Sequence, residues 1–471
     1  MPSLARLATA AVGLLAQSAL AKPCPSKDPK LGAVASESSV CSEIGIDILK
    51  KGGNAADALV ATQFCIGVIG MYHSGIGGGG FMLVRGSDGQ YEFIDFRETA
   101  PAAAFEDMYN NNTAASLYGG LARILGLTEL IHSGVPGELR GLEHLHKNYG
   151  SLPWKQLVLP AVKVARYGFR VTEDLVRYMD TVTPNGDFLT DDPTWAIDFA
   201  PHGYRVKLNE TITRKRYADT LEIIANEGPD AFYTGAIAKA TIAALTKANG
   251  TMTLEDLKNY TVAIRNPSVI NYRGYKLTGT SAPSGGIVAL STLNIVNGYE
   301  DFGDPAAINL TTHRLDEAMR FAYGQRSELG DPLYVDGLDD FQAAILSNET
   351  ATEIRSKISD FRTLNVSAYD PNGFESLPTP GTSHIVAADK SGLAVSVTTT
   401  INLLFGSQLM VPETGVIMND EMNDFSIPGS SNAFGYIPSP ANFIRPGKRP
   451  LSSISPIIAE TPDGKPTSTT S

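Results

Sequence analysis

Helical spacing of apolar residues opens the readable part of the chain. Val40, Ile44 and Ile48 recur on one helical face, with Ser39 placed to cap the start and Gly52-Gly53 to end it. A second helix follows, capped by Asn54, supported by Asp57 and carrying Cys65 near its end. The glycine-rich run Tyr72 to Gly80 then breaks all periodicity. Strand alternation appears from Phe81 to Arg85, turns at Ser87-Asp88-Gly89 and returns from Tyr91 to Phe96. From about Pro136 to Gly373 the pattern is mostly helical, as in Leu139–His146, Trp154–Arg166, Tyr217–Ala225 and Thr312–Tyr323. Past Thr382 it changes to short strands, with Ile385–Ala388 and Leu393–Thr400 flanking the turn Asp389-Lys390-Ser391-Gly392. If Ala388 faces Leu393, this hairpin sets Thr382 opposite Thr399 and leaves Thr400 beside the pair; a one-residue slip exchanges the two.

Composition adds bounds to this picture. The 471 residues are 43% hydrophobic and 19% charged, ordinary for a folded chain, and no linker or internal repeat divides them. A formal charge of -12 argues against nucleic acid and anionic membrane as partners, because both demand clustered Lys and Arg. Residues 1–21 read as a signal peptide, with Arg6, the apolar stretch Leu7 to Ala16 and the small-x-small site Ala19-Leu20-Ala21. The expected destination is therefore the secretory pathway or the exterior, with a retained N-terminal anchor as the alternative. Seven sequons, at Asn111, Asn209, Asn249, Asn259, Asn309, Asn348 and Asn365, fit a glycosylated secreted protein.

Three cysteines are too few for a disulfide-built scaffold. Cys41 lies early in the first helix and Cys65 late in the second, so an antiparallel helix pair brings them within bridging distance. Cys24 is left over.

The candidate chemistry is spread along the chain. Gly75, Gly77 and Gly80 match the dinucleotide fingerprint formally, but they follow a helix and open a strand, the reverse of the order that fingerprint needs. They read instead as tight backbone passage near a cavity. His144 and His146, two apart, point to different faces of a helix, and no metal or cofactor site is expected. Arg97, at a strand end, is either an ordinary ion-paired residue or a clamp for a carboxylate. Asn402, Glu421 and Asp424 offer an amide and two carboxylates suited to an ammonium group, and Ser452-Ser453 gives adjacent hydroxyls. Gly381-Thr382-Ser383-His384, after a Pro-rich turn, is what a self-cleaving precursor needs: the Thr hydroxyl attacks the Gly carbonyl, and hydrolysis frees an N-terminal Thr whose own amine serves as base. The same tripeptide also opens ordinary strands.

Together the stretches HSGIGGGGF (His73–Phe81), FRETAP (Phe96–Pro101), GVPG (Gly134–Gly137), GTSH (Gly381–His384), MNDFS (Met422–Ser426) and RPLSSISP (Arg449–Pro456) resemble the γ-glutamyltranspeptidase, or glutathione hydrolase, family, in the family's order. The resemblance runs from about Gly32 to about Gly464 and implies an αββα sandwich of the N-terminal-nucleophile hydrolase type. It implies a proenzyme cut between Gly381 and Thr382 into a large subunit (22–381) and a small one (382–471) that stay together as a heterodimer. Thr382 would be the processing residue and nucleophile, with Thr400 positioning or activating it. Arg97, Ser452 and Ser453 would take the α-carboxylate of a γ-glutamyl group, and Asn402, Glu421 and Asp424 its α-amine. The Cys41–Cys65 pair matches a disulfide of some secreted members.

The implied reaction is acyl transfer from glutathione or a glutathione S-conjugate to water, an amino acid or a dipeptide. The resemblance also places a Gly-Gly oxyanion pair just past Ser471, so a small subunit lacking its last part is the expectation. The alternative it leaves is a secreted, catalytically silent protein that binds the same ligands.

Overall fold

The computed structural model describes residues 31–110, 133–184, 186–374, 381–429 and 437–470. The signal sequence, Cys24 and Asn111 lie outside them. In chain order the elements that build the site are β1 (Gly32–Ala35), α1 (Ser39–Lys50), α2 (Ala55–Ile69), β2 (Gly79–Arg85), β3 (Tyr91–Asp95), α3 (Glu138–Tyr149), α4 (Trp154–Tyr167), α5 (Glu173–Val182) and α6 (Lys215–Glu227). They continue with β4 (Ala263–Arg265), β5 (Ser268–Tyr272), β6 (Tyr275–Gly279), α7 (Gly286–Val296), α8 (Ile308–Arg326), β7 (Ser383–Asp389), β8 (Ala394–Thr400), β9 (Ile457–Glu460) and β10 (Pro466–Thr470).

Two antiparallel sheets stack face to face. One has the order β1-β7-β8-β2-β3-β4, the other β10-β9-β6-β5. Because side chains alternate along a strand, each strand of the first sheet supplies two cores. Phe81, Leu83, Phe93 and Ala394 meet Ile454 and Ile458 between the sheets. Met82, Val84, Ile94, Ile385, Ala387, Val395 and Val397 turn the other way, onto the large helical core that includes α2, α3, α4 and α6. On the far side Leu290 of α7 packs on Ile270 and Leu277. The result is four layers, αββα.

The helix pair forms with one correction. Helix α1 is capped by the extended Ser38 rather than Ser39, and Val40 is 43% exposed. The buried face is Cys41, Gly45, Ile48 and Leu49, one position away from the stripe that Val40 suggested. Asn54 and Asp57 make a reciprocal capping box on α2, every residue of which is buried. Cys41 and Cys65 are bridged, with 5.3 Å between their Cα atoms.

The region from Pro136 to Gly373 also differs from its reading as mostly helical, because β4, β5 and β6 lie inside it. Their signal was short: Arg273-Gly274, both with positive φ (51° and 87°), make the two-residue turn of a hairpin in which Tyr272 pairs with Tyr275. Of the sequon asparagines, Asn209, Asn249, Asn259, Asn309, Asn348 and Asn365 are all exposed.

Candidate active site

The central hairpin fixes the geometry. Asp389 faces Leu393, and Ser383 faces Thr399, so Thr382, the residue before β7, stands opposite Thr400 at the end of β8. This corrects the Ala388–Leu393 pairing by one residue. The cause is the turn: Gly392 takes a left-handed conformation (φ 86°), closing a three-residue loop, and the Asp389 carboxylate accepts from Ser391 N at 2.7 Å and from Ala55 N at 2.8 Å. Thr382, His384 and the even-numbered residues of β8 therefore share the face toward the second sheet. Thr399 points to the helical side, donating to Glu138 Oε2 at 2.5 Å.

At the mouth of this hairpin, Thr400 Oγ1 donates to the Gly381 carbonyl oxygen at 3.3 Å and accepts from Asn402 N at 2.8 Å. Gly381 has φ 89°, a conformation suited to glycine. His384, three residues further on, places Nδ1 2.8 Å from Thr398 Oγ1, and burial pushes its pKa down to about 4.

A buried ion cluster adjoins the hairpin. Strand β3 ends at Asp95, whose Oδ1 accepts from Arg97 N at 3.0 Å, and Arg97 is fully buried. Its Nη1 contacts Glu421 Oε1, its Nη2 contacts Asp424 Oδ2, and its Nε donates to Pro450 O at 3.3 Å. Asn402 Nδ2 donates to the Asp420 carbonyl oxygen at 3.1 Å, and its side chain, close to Asp424, draws that carboxyl down. Burial raises the Asp424 carboxyl, against the pull of Arg97, and holds Asp420 well above the carboxylate range. Glu98 is pushed up to about 8 by burial, partly offset by Arg97.

The serine pair follows directly on the backbone that Arg97 touches. Ser452 N donates to Pro283 O at 2.8 Å, and Ser453 Oγ accepts from Arg326 Nη2 at 3.3 Å. Asn402 Oδ1 and Glu421 Oε2 are buried without a hydrogen-bond partner among the described residues. Such orphaned acceptors are costly unless a donor group fills the space between them.

Several supporting residues carried no sequence signal. Asp95 and Asp331 clamp Arg265 at 2.6 and 2.9 Å, and Asp331 Oδ2 accepts from Arg449 N at 3.0 Å, which fixes the segment leading to Ser452. Asn419 ties three loops together, donating to Gly77 O (2.7 Å) and Gly134 O (2.8 Å) and accepting from Glu421 N (3.0 Å). A helical reading sees these as isolated loop polar residues. What could have flagged Asp95 and Asn419 is their adjacency to the FRETAP and MNDFS stretches; Asp331 stands beside none of the matched stretches. His144 and His146 bind separate partners, Glu92 and the Leu152 carbonyl. The glycines 77, 78 and 80 have no room for a side chain, since each Cβ would strike the backbone at Ile417, Thr400 and Thr398 respectively.

Four αββα layers, with a threonine at the head of a central strand and a second hydroxyl on the peptide before it, define the N-terminal-nucleophile hydrolase class. The cephalosporin acylase of Bacillus halodurans has this fold, with a TM-score of 0.75 at 29% identity, covering 96% of this chain and 79% of that one. So does the gamma-glutamyltranspeptidase of Helicobacter pylori, with a TM-score of 0.65 at 30% identity, covering 73% and 96%. The chain belongs to the gamma-glutamyltranspeptidase family, whose model it matches over residues 41–470. It is 58% identical over 475 residues to a glutathione hydrolase proenzyme of Arthroderma benhamiae, covering 98% of this chain and 79% of the relative. It is also 54% identical over 443 residues to a glutathione hydrolase of Aspergillus flavus, covering 93% and 72%.

Proposed function

We infer that the protein cleaves γ-glutamyl bonds of glutathione and passes the γ-glutamyl group to water or an acceptor amine, after cutting itself between Gly381 and Thr382. The observation that carries this is the hydrogen bond from Thr400 Oγ1 to the Gly381 carbonyl at the head of β7. A donor aimed at a carbonyl oxygen stabilises the negative charge that develops there when the Thr382 hydroxyl attacks.

After the cut, the Thr382 amine takes the hydroxyl proton while Oγ attacks the γ-carbonyl of the donor. The C–N bond breaks, the leaving amine departs with the proton, and a γ-glutamyl ester remains. Water or an acceptor amino acid or dipeptide then attacks the ester, and the Thr382 oxygen regains a proton. Binding is an exchange of ion pairs: Arg97 takes the α-carboxylate with Ser452 and Ser453, while Glu421, Asp424 and Asn402 take the ammonium. Because the ligand is a zwitterion, each buried charge gives up one partner and gains another, which fixes the γ-carbon against the nucleophile.

The two products of the cut, 22–381 and 382–471, remain one body because β7 and β8 lie between β1 and β2 in a single sheet. Glutathione S-conjugates fall in the same donor class. Entry to the secretory pathway and glycans on the six exposed sequon asparagines complete the reading. On a denaturing gel the purified protein is expected as two chains, the smaller beginning at Thr382 by N-terminal sequencing. A single uncut chain that releases no amine from a γ-glutamyl anilide would overturn the assignment.

A further inference from the structure

The serine pair can serve a carboxylate only if its hydroxyls donate. A hydroxyl has one hydrogen and two lone pairs, so the way it is turned depends on what already occupies its oxygen. Ser452 Oγ accepts from Ile454 N at 3.2 Å, a contact inside its own turn. Ser453 Oγ accepts from Arg326 Nη2 at 3.3 Å, and a guanidinium offers no acceptor in return. In both serines the hydroxyl hydrogen is therefore turned away from the group that holds the oxygen.

Arg326 comes from outside the matched sequence stretches. It is the last residue of α8 and is 3% exposed. A buried guanidinium is costly unless a counter-charge lies near it. Here that charge is Asp424: the two line one cavity of about 10 Å³ with Ser426, Ser439, Asn442 and Leu451, with room for no more than a single water. Asp424 and Tyr323 favour the Arg326 cation, while Arg97, which itself contacts Asp424, opposes it. The serine backbone is pinned separately, by Ser452 N donating to Pro283 O at 2.8 Å and Gly285 N to Ile454 O at 2.7 Å, and by Ser455 Oγ donating to the Ser453 carbonyl at 2.9 Å. What Arg326 adds is the direction of one hydroxyl.

We propose that Arg326 is a positioning residue for the α-carboxylate of the donor: its N–H holds the Ser453 oxygen, so that the Ser453 hydrogen is presented to the carboxylate that Arg97 pairs. The proposal rests on the binding reading above, in which Ser453 takes the α-carboxylate. Arg326 itself touches no substrate atom. A cationic N–H on the hydroxyl oxygen also polarises it, which makes the same hydroxyl a stronger donor toward the carboxylate.

The experiment compares two donors on the full chain: a γ-glutamyl anilide, and a γ-aminobutyryl anilide that keeps the amine and the reacting carbonyl but lacks the α-carboxylate. R326Q and S453A are each expected to raise KM for the γ-glutamyl donor by about 10-fold or more, the loss of one hydrogen bond to a charged group, with kcat within about twofold of wild type. Neither is expected to change kcat/KM for the second donor beyond about twofold. A cation serving only the end of its helix would move both donors alike or neither. The double variant R326Q/S453A is expected to match S453A, because a residue acting through Ser453 then has nothing left to act on. R326K, which keeps the buried charge, carries the test if R326Q fails to fold: R326K/S453A is again expected to match S453A. Equal losses on the two donors, an unchanged KM for the γ-glutamyl donor, or additive losses in the double variant overturn the proposal. A wild-type chain that releases no amine from the γ-glutamyl donor sinks the reading of function, and this proposal with it.

Discussion

Arg97 shows how much one side chain is asked to do. Its guanidinium touches two carboxylates and two backbone carbonyls, at Pro450 and Leu451, with no exposed surface. Removing one member of a buried ion cluster leaves uncompensated charge and costs about 3–5 kcal/mol. Arg97→Ala is therefore expected to lower kcat/KM on a γ-glutamyl anilide by at least about 10²-fold. Arg97→Lys is expected to recover little of it, because a point charge cannot reproduce the planar fork. The ligand side of the same argument is a donor analogue lacking only the α-amine. It would leave Glu421 and Asp424 competing for Arg97 against the new carboxylate, so its KM is expected to rise by about 10²-fold or more; equal KM values would refute the exchange of ion pairs. In the sequence, Arg97 was readable as a candidate but not as a choice between clamp and surface pair, since spacing says nothing about burial. The supporting residues Asp95, Asp331 and Asn419 carried no signal of their own, because much of their work is done through contacts with residues between 66 and 342 positions away along the chain.

At the scale of the element, the hairpin β7–β8 decides which of two adjacent threonines belongs to the site. Alternation sends Thr400 toward the Gly381 carbonyl and Thr399 to the helical side, onto Glu138 and within 3.1 Å of Ser74 Oγ. Thr400→Val is expected to slow processing by about 10²-fold through the lost oxyanion donor. Thr399→Val is expected to leave the site's donors in place and instead cost about 1–3 kcal/mol of stability, by stranding the buried Glu138 oxygen. If the two variants exchange these effects, the register is wrong. Both strands and their turn were legible from alternation and from the Asp-Lys-Ser-Gly sequence. The register was not, because Gly392 leaves three-residue and four-residue loops equally open, and only Asp389, held by Ala55 N as well as Ser391, selects the shorter. The second sheet was missed for a related reason: strands of three to five residues embedded among long helices give too few alternations to outweigh their surroundings.

The whole molecule carries a pH dependence that no single element reveals. Glu98 and Glu138 are both fully buried, and burial raises each to about 8 in the folded state, from 4.5. A raised carboxyl means that the folded chain holds a proton the unfolded chain has released, so this contribution to stability is complete below pH 4.5 and is lost as pH rises toward 8. His384 acts in the opposite sense: lowered to about 4 from 6.5, it favours the fold above pH 6.5 and withdraws that support as pH falls toward 4. Lys448, lowered to about 8 from 10.5 by burial, favours the fold above its own range. Between pH 6.5 and 8 the two glutamates therefore act without opposition from His384 or Lys448, each contributing a slope of up to about 1.4 kcal/mol per pH unit. The melting temperature of a Thr382→Ala chain, kept uncut so that one species melts, is expected to fall steadily across that window. Glu138→Gln, which removes one of these folded-state protons without adding charge, is expected to make the decline shallower, with Asp420 and Asp424, also raised by burial, contributing to what remains; a slope unchanged by this substitution would show that Glu138 is ionised in the fold and that its bond to Thr399 is the contact of a charged carboxylate.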